Sequence, residues 1–191
     1  MRVGEALVDL LSTHYGVDVV FGIPGVHNIE LYRGLERSRV RAISPRHEQG
    51  AGFMADGWSI VTGRPGVCVL ISGPGVTNAL TPIAQAYHDS RPMLVLASTT
   101  PTDALGGNIG PLHDLPDQAA LVRSVCAFSE TVTDSALSIL GISTRLGHSG
   151  VTITTRSPGL RSSCATSISA DTPEEVTAIF AASVGRCSRD E

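Results

Sequence analysis

The stretch GVCVLISGPGVTNALTPIAQAYHD, residues 66–89, contains the clearest structural pattern in the chain. Its first seven residues are almost all apolar, which predicts a buried β-strand. The glycine-rich segment GPGVTN, residues 73–78, predicts a loop, and residues 79–89 predict a helix. A strand that is apolar at nearly every position has both faces covered, so this stretch predicts a parallel sheet of the α/β type.

The same alternation of strands and helices continues on both sides of this stretch. The other predicted elements are, in chain order, a helix over 3–15, a strand from 17 into the loop GIPG, a helix within 26–38, a strand over 39–44, a helix over Gln49–Val61 and a strand over 92–98. Together they predict an open parallel sheet with helices on both faces. The loops that follow the strands should then share the carboxyl edge, where α/β sheets bind ligands.

The composition suits a globular domain and excludes several classes of partner. The 191 residues are 42% apolar and 17% charged, and the net charge is −4, which gives no electrostatic basis for binding nucleic acid or an anionic membrane. No apolar run approaches the ~20 residues of a membrane span, and the first residues lack a basic and then apolar leader. We therefore expect a cytoplasmic protein. The four cysteines form no C-x-x-C pair and are expected to be buried or incidental thiols.

The composition of the sequence changes after about residue 130, and we place a boundary there. Residues 1–130 form the predicted domain core, 131–170 an aberrant segment and 171–191 a C-terminal helix and tail. The middle segment holds sixteen Ser or Thr, as many as residues 1–130, and shows no sustained period. Thr172 as N-cap and Pro173 at the first helical position predict the last helix, which Gly185 ends.

The acid Glu48 stands at the head of a helix made mostly of small and apolar residues, among them Gly50, Ala51 and Gly52. One reading is a first-turn acid that stabilises the helix dipole. The other is a carboxylate that a ligand approaches closely, because small neighbours leave space around it. The residues alone favour neither reading.

Four separated stretches together resemble a known family. These are residues 4–32, 44–67, 71–96 and the motif LHDLPDQ at 112–118. They are similar to the N-terminal pyrimidine-binding (PYR) domain of thiamine-diphosphate enzymes, in the acetolactate synthase-like and 2-oxo acid decarboxylase branch. Within that branch, the motifs most resemble those of 5-guanidino-2-oxopentanoate decarboxylase-like members.

The resemblance implies a role for each motif. Glu48 would hydrogen-bond N1′ of the cofactor's aminopyrimidine ring and so promote loss of the thiazolium C2 proton. The loops would hold that ring through Pro24, Gly25, Val26, Gly73, Pro74 and Asn78. His27 and His113 would act as acid or base on the substrate, a task suited to histidine near neutral pH. The alternative for each is a surface or structural histidine without a catalytic role. The implied substrate is a small 2-oxo acid.

The resemblance also implies what this chain does not carry. In the family, Mg²⁺ and the diphosphate bind to a G-D-G motif on a separate domain (PP), and the active site forms between two subunits; this sequence has no G-D-G. We expect no metal ligands here and a partner that is either a second copy or a PP domain. The alternatives are a separate PYR subunit of a split enzyme and a truncated, non-catalytic pairing module.

The aberrant segment 131–170 suggests that a shift of reading frame could have produced a truncated domain. All 14 basic residues are Arg, as expected from GC-rich DNA, and such DNA read out of register yields Arg, Ser, Ala and Gly. We hypothesise that about residues 136–167 are read out of frame. A nucleotide sequence without a nearby insertion or deletion that restores the expected strand would contradict this.

Overall fold

The structure is a computed structural model that describes residues 3–100, 109–127 and 129. The Ser/Thr-rich segment 131–170 and the helix predicted from Thr172 lie outside the described residues. The elements, in chain order, are α1 (Val3–Thr13), β1 (Val19–Gly22), a 3-10 turn (Val26–Asn28), α2 (Ile29–Glu36), β2 (Arg41–Ile43), α3 (Glu48–Thr62), β3 (Gly66–Leu70), α4 (Pro74–His88), β4 (Met93–Ala97) and α5 (Gln118–Arg123).

The four strands form one parallel sheet in the order β2-β1-β3-β4. Phe21 of β1 pairs with Ile43 of β2 on one side and with Cys68 of β3 on the other. The chain therefore winds outward from β1 to β2 in one direction and from β3 to β4 in the other. The crevice at the carboxyl ends of β1 and β3 is the topological switch point, where ligands bind in such sheets. The predicted open parallel sheet is confirmed.

Both faces of the sheet are covered, because successive strand residues point to opposite sides. Helices α1 and α2 pack on one face, against a cluster that includes Val20, Val67, Val69, Leu94 and Leu96. Helices α3, α4 and α5 cover the other face, against Phe21, Cys68, Leu70, Val95 and Ala97. This double burial explains why β3 and β4 read as continuous apolar runs. Cys68 and Cys126 are buried, as expected.

Helix α4 begins earlier than the sequence predicts, and the predicted loop 73–78 is its first turn. Gly73 is the N-cap, and Pro74 occupies the first helical position, where a missing N–H costs nothing. The amide of Thr77 already donates to the Gly73 carbonyl over 3.0 Å. Helix α5 was not predicted; Asp117 caps it by accepting from the Ala120 amide over 2.7 Å.

Helices α3 and α4 pack closely because α3 has no side chain at the crossing. A Cβ at Gly52 would clash with the ring of Pro82 in α4. This close approach brings the two N-termini together at the carboxyl edge of the sheet, and those N-termini carry Glu48 and Asn78.

Candidate active site

The predicted site residues lie on the three loops at the switch-point edge of the sheet. The loop after β1 carries Pro24, Gly25, Val26 and His27, the turn after β3 carries Gly73 and Pro74, and Glu48 follows β2. The side chains of Pro24 and Pro74 are exposed, and that of Val26 is 71% exposed. These three therefore form a rim. Among the other predicted residues, Glu48 contacts Asn78, and His113 contacts both His27 and Gly73.

Glu48 is the first residue of α3 and is tied to α4. The Asn78 side-chain amide donates to Glu48 Oε2 over 3.0 Å, and this hydrogen bond orients the carboxylate. Gly75 lies alongside, since a Cβ there would be 3.7 Å from Glu48 Cγ. His47, exposed at the N-cap, accepts from the Gln49 amide over 3.2 Å and does not take part in this contact.

The loop after β1 is held by Asn28, a residue that sequence reasoning missed. Its side chain is fully buried: Oδ1 accepts from the Gly25 amide over 2.7 Å, and Nδ2 donates to the Ile23 carbonyl over 3.0 Å. An Asn three residues after a glycine turn is a usable signal, because Asn side chains close turns by bonding nearby backbone. Gly25 packs on Ile71 so closely that a Cβ would clash, so this loop contacts the segment after β3.

The two predicted histidines lie next to each other. Their ring centroids are 5.8 Å apart with an edge-to-face angle of 77°. His27 Nδ1 is hydrogen-bonded to the hydroxyl of the buried Ser72 over 2.7 Å. His113 has a left-handed backbone with φ of 61°, and its buried Nδ1 has no hydrogen-bond partner among the described residues. Burial, and then the charge of His113, lower the pKa of His27 below its ordinary 6.5.

The lowered pKa predicts how stability depends on pH. The unfolded state, with an ordinary His27, binds more protons than the folded state below about pH 6.5. The free energy of unfolding should therefore fall as the pH falls from 6.5 through the folded pKa of His27. A His27→Gln variant should lose less stability between pH 8 and pH 5 than the unmodified chain, as measured by urea unfolding. Equal losses in the two proteins would contradict this.

The turn after β3 is held by Gln118, the second residue that sequence reasoning passed over as a functional position. Its Oε1 accepts from the Gly73 amide over 2.8 Å, and its Nε2 donates to the Ser98 carbonyl over 2.9 Å. The residue is visible in the sequence as the end of LHDLPDQ, but its reach back to β3 and β4 requires the fold.

The arrangement presents one oriented carboxylate at the switch-point edge. Glu48 is half-buried, and Asn78 orients its carboxylate. Gly25, Gly73 and Gly75 are packed against protein atoms that leave no room for a Cβ. A ring nitrogen pairs well with a carboxylate held in this way. Within residues 3–100, 109–127 and 129, no three His, Cys, Asp or Glu side chains come together in a way that could hold a metal ion.

Comparison with known proteins gives the same family as the motifs. Residues 1–121 match "Thiamine pyrophosphate enzyme, N-terminal TPP binding domain". The probable 2-ketoarginine decarboxylase AruI of Pseudomonas aeruginosa is 57% identical over 129 residues, which are 68% of this chain and 23% of that protein.

Acetolactate synthases are also similar. The large subunit of Corynebacterium glutamicum is 50% identical over 107 residues, covering 56% of this chain and 17% of that protein. The mitochondrial catalytic subunit of Saccharomyces cerevisiae is 40% identical over 104 residues, covering 54% and 15%. The chain spans less than a quarter of the length of these relatives. Because the family match covers more than half of the chain, the chain belongs to the N-terminal, thiamine pyrophosphate-binding domains of thiamine pyrophosphate enzymes.

Proposed function

We propose that this chain binds the aminopyrimidine ring of thiamine diphosphate and is the PYR half of a 2-oxo acid decarboxylase or acetolactate synthase-like enzyme. The observation that carries the proposal is the Glu48–Asn78 hydrogen bond at the switch-point edge of the sheet. Its chemistry matches a ring that presents a basic nitrogen. Family membership supports the choice of cofactor.

In this proposal Glu48 shares a proton with ring atom N1′. Asn78 donates to only one carboxylate oxygen, Oε2, and thereby fixes the carboxylate for that contact. The bound cofactor supplies an electron sink while carbon dioxide leaves a 2-oxo acid. Mg²⁺ and the diphosphate would be held by a PP domain, in line with the resemblance of the motifs.

His27 and His113 are proposed to act on the substrate. The lowered pKa keeps the His27 imidazole neutral near pH 7, so it can accept a proton, and its bond to Ser72 orients the ring. A 5-guanidino-2-oxo acid is the first substrate to test, because the relative named 2-ketoarginine decarboxylase is more similar than the acetolactate synthases described above. Pyruvate and an aromatic oxo acid are the other candidates.

An exposed apolar stripe on α3 supports the need for a partner. Phe53, Met54, Ile60 and Val61 are 44%, 43%, 58% and 85% exposed, at spacings that place them on one side of the helix. The stripe lies on the helix that begins with Glu48. A PP domain of a second subunit that covers it would also lie beside the ring site. The chain could serve as a split-enzyme subunit or a non-catalytic pairing module through the same stripe.

The direct test is a chimera in which this chain's matching segment replaces its 57% identical counterpart in the Pseudomonas aeruginosa decarboxylase. The chimera supplies the rest of an enzyme and is expected to decarboxylate 2-ketoarginine in the presence of thiamine diphosphate and Mg²⁺. A folded chimera that binds the cofactor but turns over none of the three candidate substrates would favour the pairing module. A folded chimera that binds no cofactor would overturn the proposed function.

The stripe predicts an assembly defect in the same chimera. Phe53→Glu places a charge in the apolar surface and should raise the dissociation constant of the dimer at least about tenfold, the effect of losing one central apolar contact. Sedimentation at several concentrations measures it. The control is Tyr87→Glu, at a residue of similar exposure (47%) on α4. If the dissociation constant of the dimer is unchanged in the Phe53→Glu variant, α3 is not part of the dimer interface.

No helix in the described part of the chain has both the length and the apolar character needed to cross a membrane. We propose the cytosol as the location of this chain, as expected from the sequence.

A further inference from the structure

The Gln118 side chain bridges three elements at the site edge. It belongs to the first residue of α5, whose start is fixed by the Asp117 cap. Its amide oxygen accepts from the backbone of Gly73, after β3, and its amide nitrogen donates to the backbone of Ser98, after β4. One side chain thus ties α5 to the ends of two neighbouring strands.

The amide group is matched to its two partners. A backbone N–H can only donate and a backbone carbonyl can only accept, so one orientation of the amide satisfies both. A carboxylate at position 118 would keep the bond to Gly73 and lose the bond to Ser98. An apolar side chain of the same length would lose both.

The same tie holds the segment that carries His113. The carbonyl oxygen of His113 lies so close to Gly73 that a Cβ there would clash with it. Residues before α5 therefore pack directly on the turn that Gln118 holds. The neighbouring residue Ser72 holds His27 through its hydroxyl. Each histidine therefore reaches its place through one of two adjacent residues in this turn.

The backbone at this point does not favour the observed arrangement by itself. His113 has a left-handed backbone, which costs energy for any residue with a Cβ. Gly73 has φ of 63° and ψ of −113°, a combination suited to glycine. Such conformations persist when surrounding contacts determine them, and the two hydrogen bonds of Gln118 are contacts of this kind.

We propose that Gln118 is a positioning residue that locks the His113 segment onto the turn after β3 and thereby sets the contact between His27 and His113. The use of these histidines in catalysis rests on the proposed function. Their placement by Gln118 does not, because it concerns the chain without cofactor or partner.

The test is nuclear magnetic resonance of the full chain with labelled histidines. In Gln118→Met the two hydrogen bonds are lost at nearly constant side-chain length. The nuclear Overhauser contact between the rings of His27 and His113 should disappear. The titration midpoint of His27 should rise, because the like charge of His113, which helps to lower the pKa of His27, moves away. The signals of the exposed His14 and His88 should not move.

Two further variants make the result interpretable. Gln85→Met is the matched control, since it removes an exposed side-chain bond, from Nε2 to Asp89 Oδ2 over 2.8 Å, and should leave His27 unchanged. Gln118→Glu loses only the Ser98 bond and should weaken the ring contact less than Gln118→Met. If the Met variant does not fold, the Glu variant decides.

An unchanged ring contact and an unchanged His27 midpoint in the folded Gln118 variants would overturn the proposal. The ring contact could be lost in Gln118→Met while a chimera with the same substitution stays active. This result would support the positioning role and would show that the histidine pair is not needed for turnover. A folded chimera that binds no cofactor, together with a Gln118-dependent ring contact, would overturn the proposed function alone.

Discussion

Glu48→Gln in the decarboxylase chimera is expected to lower turnover by about 10²–10⁴-fold, the usual contribution of a positioned acid or base. Glutamine keeps the size of the side chain and can still accept from Asn78, but it cannot share a proton with a ring nitrogen. Folding and dimer formation should therefore be retained while the chemistry is lost. Initial rates of carbon dioxide release, with cofactor at saturation, measure the effect.

Glu36→Gln is the matched control, because Glu36 is an exposed acid at the end of α2, away from the site edge. It should leave turnover unchanged. A Glu48→Gln chimera as active as its parent would show that the carboxylate is a first-turn helix acid and nothing more. If cofactor binding were lost together with activity, Glu48 would contribute to cofactor affinity rather than to proton transfer.

Gly22→Ala should have the largest effect on stability. Gly22 ends β1 and pairs with Val69 of β3, and a Cβ there would clash with the Val69 carbonyl oxygen and meet the Tyr32 hydroxyl at 3.0 Å. Both strands would have to move apart at the centre of the sheet. We expect the free energy of unfolding to fall by at least about 3 kcal/mol, the upper end for overpacking in a core, as measured by urea unfolding of the full chain.

Gly57→Ala provides the opposite case on α3. No atom would lie within 4 Å of a Cβ at Gly57, and the residue is in a helix interior. Alanine there should stabilise the chain by about 0.5–1 kcal/mol, because it reduces the entropy of the unfolded state. If Gly22→Ala were as mild as Gly57→Ala, the close pairing of β1 with β3 at this position would be wrong.

The sheet could be predicted because its signal is local. Strands such as β3 and β4 are apolar throughout, and a serine, Ser72 or Ser98, stands within two residues of each strand's end. The helix boundaries were harder to predict where a residue suits both the start of a helix and a turn. Pro74 reads equally as a loop residue and as a first helical residue, and only the Gly73 cap in the folded chain decides between them.

Residues of the candidate site could be singled out where a motif names them, and less readily where a residue acts through main-chain groups. Glu48 and Asn78 were both singled out, and the fold joins them across thirty positions of sequence. Asn28 and Gln118 were not singled out. Asn28 has a local turn signal that was missed, whereas Gln118 bonds main-chain groups far away in the sequence. Gln118 and Gly73 lie 45 positions apart, beyond any periodic pattern.

The order of the strands along the chain has a consequence for synthesis. A nascent chain that has emerged as far as His88 contains Glu48, Asn78 and three of the four strands, yet Ser98 and Gln118 are still inside the ribosome. The turn at Gly73 then lacks both amide bonds that later hold it. The proposed ring binding should therefore become possible late in translation, after residue 118 is free to fold back. The apolar β3 remains an open sheet edge until β4 pairs with it.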